Sequence, residues 1–123
     1  MSTMAEIQGF STPGRVVTIS NPYTEISMNR ALELELQGNY EEALETFDQV
    51  LKIDPNEARA YHAMGDIYDL MGRYNDAVFC YDSALECDPF NADTLFNKGV
   101  TLGKMGRQKE SDECISQGVS LAI

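Results

Sequence analysis

The sequence contains no tryptophan, a single histidine (His62), and nine lysines and arginines against twenty aspartates and glutamates. Each shortage removes a class of function. At a net charge of −11 the chain lacks the clustered bases that neutralise phosphates, so neither nucleic acid nor an anionic membrane is expected as a partner. No apolar run approaches the ~20 residues needed to span a bilayer. The opening "MSTMAEIQGF" has neither a basic leader nor an apolar core, which argues against a signal peptide and for a cytoplasmic protein. The three cysteines, Cys80, Cys87 and Cys114, form no C-x-x-C pair and no Cys/His cluster, so the spacing indicates neither zinc nor a disulfide framework. On one helix Cys80 and Cys87 would stand about 10.5 Å apart, beyond the ~7 Å reach of a disulfide. All three read as small apolar packing residues of a reducing compartment.

Catalysis is equally short of material. Asp66 and Asp69 can share a helix face with His62, which would suit a metal site or a general base with its orienting acid. No phosphate-binding loop and no further ligand cluster joins them, so the expectation is a solvated helix face. No catalytic residue, metal or cofactor is expected.

What the chain has in quantity is repetition. "GNYEEALETFDQVLKIDP" (38–55) returns 34 residues later as "GRYNDAVFCYDSALECDP" (72–89). The stretches before each copy echo one another more faintly, with apolar spacings of three and four that mark amphipathic helices. These are Ile26, Ala31 and Leu34; Tyr61, Met64, Gly65 and Tyr68; and Leu95, Gly99 and Leu102. Gly38, Gly72 and Gly106 stand where a left-handed residue ends a first helix, and Pro55 and Pro89 where a second helix must stop. Asn21, Asn56 and Asn91 lie at or near helix starts, where a side-chain oxygen can cap free amides. The pattern predicts three helix–turn–helix units, 24–57, 58–91 and 92–123, each burying a face against the next. Gly65 and Gly99, each costing a helix ~1 kcal/mol against alanine, predict close helix crossings.

In its middle unit, Tyr61, Met64-Gly65, Tyr68, Ala77, Tyr81, Ala84 and Pro89 resemble the tetratricopeptide repeat pattern nearly throughout. The first unit matches mainly through Ala43, Phe47, Val50 and Pro55; the third keeps Gly99 and Leu102 but carries Ser111 and Gly118 where alanine is usual. The resemblance covers residues 23–123. It implies an all-α fold, an α-solenoid of six to seven helices wound as a right-handed superhelix, whose first helices line a concave protein-binding groove. That face would present Glu25, Met28, Asn29, Leu32 and Glu35 from the first unit. From the second it would present Arg59, His62, Ala63, Asp66 and Asp69, and from the third Asp93, Phe96, Asn97 and Val100. Met28, Leu32, Phe96 and Val100 would be its adaptable apolar anchors. One branch of the family clamps chaperone C-terminal carboxylates with Lys, Asn and Arg. Here the corresponding positions hold Met28, Leu32, Ala63, Asp93 and Asn97, so that ligand is not expected. The implied role is a non-catalytic adaptor for a peptide or helix of another protein. The acidic surplus favours a basic segment, although much of the acid (Glu41, Glu42, Glu45, Asp48) belongs to the solvated outer helices.

Both ends leave alternatives open. Residues 1–22 match no repeat and read as a flexible tail, or, through the β-prone "RVVTIS", as a segment that lies in the groove. The last helix has no covering element. Either Ser111, Asp112, Glu113 and Gln117 make it a polar cap, or Ile115, Val119, Ala122 and Ile123 are exposed and pair two copies. A monomer and a weak homodimer are both compatible with the sequence.

Overall fold

The computed structural model describes residues 21–123, and the expectations for the earlier segment lie outside them. Six helices run through the described residues: α1 Pro22–Leu36, α2 Tyr40–Ile53, α3 Ala58–Leu70, α4 Tyr74–Cys87, α5 Ala92–Lys104 and α6 Gln108–Ala122. Each odd-numbered helix pairs with the one after it. α3 also approaches both α1 and α5, whereas the backbones of α2, α4 and α6 make no close approach to one another. The first helices therefore form the inner layer of a curved stack and the second helices the outer layer.

The turns inside the pairs are three copies of one device. Gly38, Gly72 and Gly106 adopt φ of 79°, 76° and 80°. The next residue's amide reaches back to the first helix in each case: Asn39 to the Leu34 carbonyl at 2.9 Å, Arg73 to Tyr68 at 2.8 Å and Arg107 to Leu102 at 2.9 Å. This closure satisfies carbonyls that the helix end would leave open, and it needs the left-handed residue that glycine supplies. Helix starts are less uniform. Asn21 Oδ1 accepts from the Tyr23 amide at 2.8 Å and Asn91 Oδ1 from Thr94 at 3.1 Å. Asn56 caps nothing; its amide donates to Asp54 while the Glu57 carboxylate, one residue on, caps α3.

Small residues set the approach of paired helices. A Cβ on Gly65 would lie 2.6 Å from the Tyr81 ring, and one on Gly99 2.7 Å from Ile115 Cγ1 and 3.1 Å from the Ser111 carbonyl. Ser111 is not on the polar outer side, as the sequence suggested. It is buried, and its hydroxyl donates to the Gly99 carbonyl at 2.7 Å. Ile115 is likewise turned inward onto Gly99, which removes it from the exposed end. Ile26 is exposed; the buried line of α1 runs Thr24, Met28, Ala31, Leu34. Among the described residues no helix is long and apolar enough to cross a membrane.

Candidate binding groove on the first helices

Two clefts meet along the inner layer. One, of about 460 Å³, is bordered by Leu32 and Glu35 of α1, by Arg59, His62, Ala63 and Asp66 of α3, and by Asp88 and Asp93 near the start of α5. The other, of about 360 Å³, runs on past Asp69, Leu70 and Tyr81 to Asn97 and Val100 of α5. Glu35 and Asp66 belong to both, so the clefts form one groove crossing all three helix pairs. Depressions of about 490 and 560 Å³ on the outer side do not span three pairs.

The expected anchors divide. Leu32 (39% exposed) and Val100 (51%) stand open, joined by Leu70, which the sequence had not singled out. Met28 borders the first cleft but is buried, at 1% exposed: α1 packs against both α2 and α3, and this widens its buried arc to include the methionine. Phe96 is half-buried with its ring over Gly118, where a Cβ would lie 3.4 Å from it, and it borders neither cleft. Asn29 is exposed and lines neither cleft.

The polar residues are mostly engaged with one another across the repeats. His62 Nε2 lies 3.2 Å from Asp66 Oδ2, and His62 Nδ1 is 2.7 Å from Thr94 Oγ1. Asp66 Oδ1 accepts from the Tyr81 hydroxyl at 2.5 Å and from Asn97 Nδ2 at 2.9 Å. Asp69 accepts from Thr101 Oγ1 at 2.7 Å and from Lys104 Nζ at 2.8 Å. Between the first two units, Arg59 bridges Glu25 at 3.0 Å and Glu57 at 2.8 Å. His62, Asp66 and Asp69 are thus not a merely solvated face; they sew α3 to α5. Among the described residues no group of three or more His, Cys, Asp and Glu side chains is arranged to hold a metal.

The electrostatics follow from these bonds. The bond to Asp66 raises the His62 pKa against the opposing effect of burial. Burial alone would raise Asp66, but the bonds from His62, Tyr81 and Asn97 together outweigh it and hold the carboxylate low. Glu35 has its pKa raised, first by burial and then by the nearby charge of Asp66. Tyr81 is raised strongly, by burial and then by its bond to Asp66. Thr94, Thr101, Tyr81 and Lys104 were not anticipated as members of this network. A signal was present: Thr94 and Thr101 occupy positions that hold Ala60 and Ile67 one repeat earlier. All four are buried, so hydroxyls at two of them call for partners.

Tandem helix pairs sharing an inner groove define the class as a helical repeat array. The profile of the tetratricopeptide repeat family matches residues 23–89, and a second profile of that family matches residues 80–113. The chain belongs to the tetratricopeptide repeat family. A comparison with curated proteins finds no match. Among solved structures, the Yersinia enterocolitica type III secretion translocator chaperone SycD is similar at TM-score 0.79 and 22% identity, over 85% of this chain and 80% of that one. The second TPR of Spaghetti (RPAP3), bound to the HSP90 peptide SRMEEVD, gives 0.77 and 17%, over 81% and 93%. MamA gives 0.78 and 16%, over 80% of this chain; the chain spans 58% of MamA's length. These similarities establish the fold.

Proposed function

We propose that this protein is a non-catalytic interaction module that holds a peptide or helix of another protein in its inner groove. The observation that carries the proposal is the continuity of that groove: it crosses three helix pairs and exposes Leu32, Leu70 and Val100 between fixed polar groups. Apolar anchors beside oriented polar groups are what a bound segment uses. The RPAP3 domain with its HSP90 peptide and the chaperone SycD support the reading by fold likeness. A carboxylate clamp is missing from the corresponding positions, so the ligand differs from that peptide. Three unpaired thiols, two of them buried, support work in the reducing cytoplasm. Pull-down from source lysate tests the proposal. The wild type should retain a partner that a Leu32→Ser/Val100→Ser variant of unchanged helicity loses; equal capture by both would overturn it.

A second reading has its own support. Val119, Leu121, Ala122 and Ile123 are exposed at the end of α6, Ile123 at 97%. An apolar end of this kind favours a weak homodimer. Light scattering across a concentration series tests it, and a monomer mass throughout would remove it.

A further inference from the structure

We infer that the segment accepted by the groove is cationic, a stretch carrying arginine or lysine beside aliphatic residues. This rests on the interaction-module reading and deepens it. The argument is one of complementarity. Every base at the groove is already matched: Arg59 by Glu25 and Glu57, Lys104 by Asp69, and His62 by Asp66. Asp66 is further saturated by Tyr81 and Asn97. Three carboxylates make no salt bridge among the described residues: Glu35 in the middle of the groove, and Asp88 and Asp93 at one end; His62, bonded to Asp66, acts on Glu35 and Asp93 only at longer range. Glu35 is half-buried, and burial and the charge of Asp66 both disfavour its ionised form. A guanidinium entering there would offset both effects with an opposite charge and two N–H donors, and its planar fork suits a carboxylate better than an ammonium does. Leu32 borders the first cleft with all three acids, and Leu70 and Val100 border the second with Glu35, so aliphatic and acidic surface lie side by side along the groove.

The test is fluorescence anisotropy with the labelled octapeptide RSLSRSLS, blocked at both ends, against QSLSQSLS. The wild type should bind the arginine peptide at least about tenfold more tightly, and the preference should fade in high salt. Glu35→Gln/Asp93→Asn should remove most of that preference. Glu41→Gln/Glu45→Gln, the same charge change on exposed outer α2 positions, should leave it within about twofold. Equal losses in the two pairs would mean a diffuse acidic field and would overturn the inference. So would equal binding of the two peptides, or no binding of the arginine peptide. A groove that loses its lysate partner through Leu32→Ser/Val100→Ser but not through Glu35→Gln/Asp93→Asn would keep the interaction-module reading while sinking the cationic one.

Discussion

Gly65 is the least replaceable residue of the middle unit. An alanine there gains ~1 kcal/mol of helix propensity but places its methyl 2.6 Å from the buried Tyr81 ring, which is itself tied to Asp66. The ring cannot swing aside without losing that bond, so Gly65→Ala should cost about 1–3 kcal/mol, read as a lower urea midpoint at unchanged slope. Tyr81→Phe isolates the bond alone, and about 1–2 kcal/mol is expected. The His62–Asp66 contact makes stability depend on pH with a defined sign. Because folding raises the His62 pKa above 6.5, its contribution is complete below about pH 6.5 and fades as pH climbs through the folded value. Because folding lowers Asp66 below 3.8, that contribution holds above about pH 3.8 and is lost as pH falls through the depressed value. The pair should therefore stabilise most between about pH 4 and 6.5, and His62→Gln should flatten the alkaline decline in melting temperature. An identical decline in the variant would remove His62 from the account.

The helices were legible because their ends are written in residues with few other uses. Glycines with φ near 80° close the inner turns, and proline follows α2 and α4. Caps are the looser part of that grammar: Asn91→Ala should cost about 1 kcal/mol by chemical denaturation, while Asn56→Ala should stay within about 0.5 kcal/mol, since only Asn91 holds a helix amide. Which face a helix turns to its neighbours was harder to read. Periodicity reports that a stripe exists, yet α1 serves α2 and α3 together, and the second contact draws Met28 inward while Ile26 stays out. The polar network was harder to read for a related reason. A threonine in a helix reads as neutral until the aspartate one repeat away fixes its meaning, as Asp69 does for Thr101.

Viewed along the stack, the molecule is uneven, and the unevenness bears on how copies could meet. Residues 24–57 carry nine acids and two bases, residues 58–91 six and two, and residues 92–123 four and four. Two first units would repel each other more than two last units, so the homodimer proposed above is least opposed electrostatically at the α6 end. That end is partly self-covered. The 34-residue register puts Met28, His62 and Phe96 at one position and Val50, Ala84 and Gly118 at another. In the third unit Phe96 packs its ring onto the bare Gly118 backbone. Restoring the first unit's residue, by Gly118→Val, should displace the ring, because the Cβ alone already reaches contact with Phe96 at 3.4 Å and crowds the Ala92 carbonyl at 3.3 Å, and valine adds two methyls beyond it. The freed phenylalanine would join Val119, Leu121 and Ile123 in one apolar patch. The variant should melt lower than the wild type, and its light-scattering mass should rise with concentration more steeply. A lower melting temperature without any change in mass would show that the α6 end does not associate even when its apolar surface is enlarged.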